Sequence, residues 1–334
     1  MGITTNCSQE VIEMAANALK SGHLVAFPTE TVYGLGADAL NEKAVSSVYS
    51  IKGRPADHPL IVHVSSIDQL DNWATEIPSY AKKLARDFWP GPMTLILKRS
   101  TQAKDFVTGG QNFVGIRVPA HPVALALLAE FEKLGGMGIA APSANKFGAV
   151  SPTTAKAVFQ EIGIGLGVND LILDGGQSLI GLESTIIDCT NLYATVIRPG
   201  AITIENINKS LQSTNVDLVE KSHIRASGGL VKHYSPKAEV LINTIPKEGD
   251  GLIALSEFKT PKNVIRLANP NNSEEYARIL YSALREGDSK AIKRIIVILP
   301  KGDGLEVAIN DRVIKASANI NKTNSFVKLE SGAD

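Results

Sequence analysis

The sequence predicts an α/β protein in two units, a large mixed sheet with helices followed by a smaller, compact α/β domain. Three observations carry this. Short apolar runs alternate with amphipathic stretches of helical period along most of the chain. The 334 residues exceed what one hydrophobic core ordinarily organises. Between about Asn206 and Lys237 the periodicity lapses into a stretch carrying Lys221-Ser222-His223 and Ala226-Ser227-Gly228-Gly229, which reads as an extended linker. The expected units are residues 1–205, a linker over 206–237 and a second domain over 238–334.

Each element has a local reason. Residues 8–21 form an amphipathic helix with Ser8 as N-cap, an apolar stripe of Val11, Ile12, Ala15, Ala16 and Leu19, and Gly22 as its stop. A buried strand follows at 24–27, and the loop that opens at Pro28 starts where this strand ends, the usual place for a site on an α/β scaffold. Further strands are expected at 60–64, 93–98, 114–118, 138–141, 171–173, 184–188 and 195–198, with helices at 42–51, 79–88, 122–134 and 153–161. In the second unit, strands at 238–242, 251–255, 264–267 and 294–299 alternate with helices at 273–285 and 306–319.

Composition removes several classes of function. At 44% hydrophobic and 20% charged residues the chain is neither disordered nor membrane-embedded, and no apolar run approaches the length that spans a bilayer. Lys plus Arg equals Asp plus Glu at 34 each, so no global positive field favours a nucleic-acid backbone. Cys7 and Cys189 cannot make a disulfide framework, have no metal-ligand spacing, and read as free thiols in a reducing cytoplasm.

The residues that carry chemistry cluster at strand ends. No phosphate-binding Gly-Lys-Ser or Gly-Lys-Thr loop is present, and Gly163, Gly165 and Gly167 read as a loop rather than a dinucleotide fingerprint. Lys52 and Arg54 stand two apart in a turn closed by Gly53 and Pro55, so both can reach one anion. Arg117 and Arg198 lie in apolar strand surroundings and need an anionic partner, either a protein carboxylate or a ligand. Ser143 and Asn145 present a hydroxyl and an amide after a strand, suited to ribose or phosphate oxygens or to a side-chain-bonded turn. His58 and His63 are five apart, do not share a strand face, and make a poor metal pair.

The stretches PTETVYGLG (28–36), KGRPADHPLIVH (52–63), FWPGPMTLIL (88–97), VGIRVPAHP (114–122), APSAN (141–145), SPTTA (151–155), GLESTIID (181–188) and IRPGAI (197–202) occur in this order. Together they resemble the threonylcarbamoyl-adenylate synthase family, whose catalytic unit is the YrdC-like domain, over about residues 8–205. His233-Tyr234-Ser235-Pro236-Lys237, Gly302-Asp303-Gly304-Leu305 and Ala308-Ile309-Asn310-Asp311-Arg312 are similar to the long form of the family. The resemblance implies a YrdC-like mixed twisted sheet with helices and a smaller C-terminal Rossmann-like α/β domain.

It also implies a reaction. Family members make threonylcarbamoyl-AMP from L-threonine, bicarbonate or CO2, and ATP, releasing pyrophosphate, and a downstream tRNA-modifying transferase machinery uses the product. Carried over by position, Thr31, His63, Arg117 and Ser184, with the backbone at Ala141, surround L-threonine. Lys52, Arg54, His58, Ser143, Asn145, Ser151 and Arg198, with the backbone around Phe113, hold ATP, and Lys52 and Arg54 act on the phosphates during catalysis. His233 and Tyr234 belong to a lid formed by the linker, Tyr33 shapes the pocket, and Gly34 and Gly36 serve the turn. Mg²⁺ accompanies the ATP and is held by phosphates and water, without a protein metal site. A weak RNA contact and a cytoplasmic location are further expectations, with no membrane partner. Phe147 and His58 depart from the family pattern, where smaller residues are common. Two other functions remain open at the sequence level: a carbamoyl-adenylate-forming enzyme like that of hydrogenase maturation, and a double-stranded RNA-binding or ribosome-associated module.

Overall fold

The computed structural model describes residues 3–4, 7–212, 216–219, 224–226, 228 and 233–317. The first part of the chain runs β1 (Ile3–Thr4), α1 (Gln9–Lys20), β2 (Val25–Phe27), β3 (Gly34–Asp38), α2 (Glu42–Lys52), β4 (Ile61–His63), α3 (Leu70–Trp73), α4 (Ser79–Phe88), β5 (Met93–Lys98), α5 (Asp105–Thr108), β6 (Phe113–Arg117), α6 (Pro122–Lys133), β7 (Ile139–Ala140), α7 (Ala155–Ile162), β8 (Leu171–Leu173), β9 (Thr185–Asp188), β10 (Thr195–Arg198), α8 (Ile204–Leu211) and β11 (Asp217–Leu218). The second part runs β12 (Glu239–Ile242), β13 (Gly251–Ile253), β14 (Ile265–Ala268), α9 (Ser273–Ser289), β15 (Arg294–Val297) and α10 (Leu305–Ser317).

The larger sheet has the order β1-β8-β2-β3-β7-β4-β6-β5-β9-β10-β11. Its pairings mix directions: β2 with β3 and β5 with β6 are antiparallel, while β4 with β6 and β5 with β9 are parallel. One core, including Leu35, Val48, Val62, Trp73, Leu95 and Ile116, fills one face, and a second, including Ile12, Leu19, Phe27, Leu127 and Phe131, lies under α1 and α6. The smaller sheet, β12-β15-β13-β14, is wholly parallel. Parallel strands are covered on both faces, and Ile295, Ile296 and Val297 in β15 are accordingly all buried. The mixed sheet plus smaller parallel α/β domain is the predicted fold class.

Two expectations are corrected. Residues 34–38 form β3 rather than a turn. Gly36 sits where a Cβ would lie 2.7 Å from Ile139 Cγ2 and 2.9 Å from Phe27 Cε1, so the glycine permits close approach of neighbouring strands. The stretch read as linker from Asn206 begins inside α8, whose Thr203–Asn206 capping box fixes its start, and β11 then pairs in parallel with β10 at the edge of the large sheet.

The two units are packed together. Val32, Val150 and Leu182 of the first enter the apolar cluster of the second beside Tyr234, Tyr276, Leu280 and Tyr281. Arg285 on α9 pairs with Glu161 on α7 at 3.0 Å, and Ser235 N donates to Gly148 O at 2.9 Å. Among the described residues no helix is long and apolar enough to cross a membrane.

Candidate active site

Strand ends and loops of the first unit converge with the linker on one cavity, lined among others by Thr31, Lys52, Arg54, His63, Arg117 and Ser143, with Asn145, Ser184, Arg198, His233 and Tyr234 completing its wall. The parallel register of β4 and β6 sets His63 directly opposite Arg117. Arg117 Nη2 donates to Glu30 Oε1 at 2.6 Å and Nε to Gly91 O at 3.2 Å, and Glu30 Oε2 accepts from Ala120 N at 3.0 Å. The anionic partner that Arg117 requires is therefore a protein carboxylate. Burial, reinforced by Arg117, lowers the His63 pKa to about 3, so its imidazole is neutral near pH 7.

Lys52 ends α2, and Gly53 takes the left-handed conformation at its C-cap, with φ 61°, which redirects the chain to Arg54. The buried Lys52 ammonium donates to Ser143 O at 2.5 Å and to Asn145 O, tying the helix end to the Ser143-Ala144-Asn145 loop. Burial, then the neighbouring Arg54, hold its pKa well below the ordinary lysine value. Arg54 donates from Nη2 to Pro59 O at 3.0 Å and lies 5.6 Å from the centre of the Phe147 ring. Burial lowers its pKa to about 10, leaving it charged at neutral pH. The bulky Phe147 is thus an aromatic wall between Arg54 and the linker, 6.3 Å from the His233 ring.

The hydroxyls are oriented by neighbours. Thr29 Oγ1 donates to Val32 O at 2.6 Å, so in its 2.7 Å contact with Thr31 the Thr31 hydroxyl is the donor, and its lone pairs remain to accept. Arg198 donates to Ser184 through Nε to the carbonyl at 3.0 Å and Nη2 to the hydroxyl at 3.1 Å, while Thr94 shares that hydroxyl at 2.8 Å. Asn145 spends its amide donors on Lys146 O and Ala149 O at 2.7 and 2.8 Å. The turn expected there accounts for its NH2 group and leaves its oxygen buried without a partner in a residue that lines the cavity.

That oxygen is one of four. Among the described residues, His63 Nδ1, Asn145 Oδ1, His233 Nδ1 and Tyr234 OH are buried without hydrogen-bond partners, and all four residues line this cavity. Buried polar atoms are otherwise nearly always paired, so their convergence marks a surface built for a polar ligand. Tyr234 also has a left-handed φ of 60°, unusual for a bulky residue, and is held there by Tyr281, stacked 5.7 Å away, and by His233 at 4.0 Å.

The chain matches the family described as "Telomere recombination" over residues 17–200 and the one described as "Threonylcarbamoyl-AMP synthase, C-terminal domain" over residues 202–318. It is 39% identical over 327 residues to threonylcarbamoyl-AMP synthase of Pyrococcus abyssi, covering 92% of this chain and 94% of that protein. It is 38% identical over 336 residues to threonylcarbamoyl-AMP synthase of Bacillus subtilis, covering 94% of each. The chain belongs to the threonylcarbamoyl-AMP synthase family. The crystal structure of P. abyssi Sua5 complexed with L-threonine superposes with a TM-score of 0.85 at 37% identity, over 93% of this chain and 95% of that one.

Most positions carried over from the threonylcarbamoyl-AMP synthase family meet at the cavity; three do not line it. His58 lies outside, edge-on to Phe147 at 5.2 Å. Ser151 is fully buried behind the wall, where its hydroxyl donates to Glu183 Oε1 at 2.6 Å. Phe113, at the opposite end of β6 from Arg117, lines a separate small cavity with Ile224 and Ala226. Sequence reasoning missed two carboxylates. Glu30 stands in the PTET stretch and Glu183 beside Ser184, but their arginine partners lie 87 and 129 residues away, beyond any local signal.

Proposed function

We infer that this chain is an L-threonylcarbamoyladenylate synthase, which combines L-threonine, bicarbonate or CO2, and ATP and releases pyrophosphate. The product supplies the threonylcarbamoyl group for the threonylcarbamoyladenosine modification of tRNA. The observation that carries this reading is the convergence of Lys52, Arg54, Arg117 and Arg198 with four unpartnered polar atoms in one cavity.

The chemistry needs little covalent participation from the protein. The threonine amine adds to CO2 and loses a proton, giving an N-carboxylate; its oxygen attacks the α-phosphorus of ATP, and the bond to pyrophosphate breaks. Charge gathers on phosphate oxygens, so fixed cations and positioning supply the catalysis. Lys52 and Arg54 stand together on one side of the cavity and are assigned to the phosphates. Ser143 and Asn145 present oxygens for the nucleotide, Arg198 sets the Ser184 hydroxyl, and Thr31, His63 and Arg117 form the threonine end. Arg117 reaches that end already paired with Glu30, so it recognises the threonine carboxylate with the guanidinium edge that Glu30 leaves free, and the pair adds little net charge.

Mg²⁺ fits this donor set in one way. Among the described residues no group of three His, Cys, Asp or Glu side chains could cage a metal, and the Glu30 and Glu183 carboxylates are committed to arginines. The ion would arrive on the ATP phosphates, completed by water, with Asn145 Oδ1 an unpartnered neutral oxygen on offer. Bound there, it would neutralise phosphate charge alongside Lys52 and Arg54.

The test is to incubate the protein with ATP, Mg²⁺, bicarbonate and L-threonine and follow pyrophosphate and the adenylate by mass spectrometry. Threonine-dependent pyrophosphate with a threonylcarbamoyl-AMP mass is expected, and chelation of Mg²⁺ should abolish both. Pyrophosphate release that requires carbamoyl phosphate instead of threonine would overturn the reading.

A further inference from the structure

The second domain touches the cavity wall at Glu183 and at the linker residues His233 and Tyr234. Arg312, on α10 and wholly buried, donates from Nε to Glu183 Oε2 at 2.9 Å and from Nη2 to Pro199 O at 3.0 Å. Tyr281 on α9 donates to the same oxygen at 2.9 Å, and Ser151 fills the other at 2.6 Å. The Arg312 guanidinium lies 5.3 Å from the centre of the Tyr234 ring, so one side chain braces both Glu183 and the strained linker tyrosine. Arg312 also pairs with Asp311, which in turn pairs with Lys315 at 2.8 Å. Glu183 itself lines the cavity next to Ser184. A buried carboxylate in that wall, uncompensated, would oppose any polyphosphate entering beside Lys52 and Arg54. Burial raises the Glu183 pKa, but Arg312 and then Arg198 outweigh it and bring it down to about 2, so the group stays ionised at neutral pH.

We propose that Arg312 is a positioning residue for the synthase reaction, supplied by the second domain to neutralise and orient Glu183, and thereby to make the cavity receptive to the ATP triphosphate. The proposal rests on the synthase reading above. It gives the second domain a definite task, which is to complete the electrostatics of a cavity otherwise built by the first domain and the linker.

The experiment compares four full-length proteins: wild type, R312M, E183Q and the double variant R312M/E183Q. ATP binding is read by calorimetry without threonine, kcat and KM are read for ATP and threonine, and folding is checked by thermal melting. R312M should weaken ATP binding and raise the ATP KM by at least ~10-fold, with a smaller change in the threonine KM. E183Q should bind ATP more tightly than wild type, and the double variant should recover most of the affinity that R312M loses, because the opposing charge is gone. A folded R312M with wild-type ATP affinity would overturn the proposal, as would a double variant no better than R312M. If R312M fails to fold, E183Q decides, because weaker ATP binding by E183Q contradicts the charge argument. Failure of the synthase reading is distinguishable, since it would leave this ATP-binding pattern intact while no variant, nor the wild type, released threonine-dependent pyrophosphate.

Discussion

Two groups of polar side chains, one on the second domain's sheet and one around the cavity, are used in opposite ways. In the second domain, Arg266 on β14 donates to the carbonyls of Ala254, Leu255, Phe258 and Ala268 at 2.7 to 2.9 Å, and to Thr260 and Asn269 at 3.3 and 2.8 Å. Arg294 closes a two-pronged pair on Asp250 at 2.9 and 2.7 Å. Those guanidinium groups are satisfied by the chain itself and hold loops to strands. Around the cavity, by contrast, lie four of the seven buried side-chain atoms that lack partners among the described residues. The same chemistry is structural where it is saturated and receptive where it is left open.

Replacing Lys52 should test the receptive side most severely. Lys52→Ala removes a buried cation and the ties to Ser143 O and Asn145 O, and kcat is expected to fall by about 10²- to 10³-fold. Stopped assays of pyrophosphate release would check it, and a loss confined to threonine KM would break the assignment of Lys52 to the phosphates. A smaller effect concerns protonation. Burial holds His63 and His233 each at about 3, against an ordinary value of 6.5. Folded values below the unfolded one contribute stability that is complete above about pH 6.5 and is lost as pH falls toward about 3. Urea unfolding across this range should therefore show declining stability, and the decline should be shallower in His63→Asn. Equal slopes for both proteins would show that the His63 site accommodates the proton. The smallest effect belongs to the saturated side. Arg294→Ala removes a partly exposed pair and should lower the denaturant midpoint only slightly, with kcat unchanged. A large loss of turnover there would erase the distinction between the two groups.

Much of this architecture is legible in the residues, with limits that have physical causes. Strands β5, β8 and β10 begin and end where their apolar runs do, because Val, Ile and Leu flanked by polar residues report a buried strand directly. Strand β3 is hidden because Gly34-Leu35-Gly36 looks like a turn, and only the proximity of Ile139 and Phe27 explains the glycines. Helix α8 was recoverable, since Thr203 precedes Ile204, Ile207 and Leu211 at helical spacing, but the surrounding polar residues obscured it. Lys52, Arg54, Arg117 and Arg198 announce themselves as cations at element ends. What they pair with does not, because Glu30 meets Arg117, and Glu183 meets Arg312, only after the sheet and the second domain have assembled.

The pairing of His63 with Arg117 across β4 and β6 has a consequence for how this protein tolerates change. Their separation is set by a ladder of main-chain hydrogen bonds in fixed parallel register, Ile61 to Gly115, Val62 to Ile116 and His63 to Arg117. Side-chain replacements elsewhere in the core leave that ladder in place, so drift in sequence erodes stability well before it alters the spacing of this pair. The strand pair acts as a ruler that mutation of its surroundings does not recalibrate.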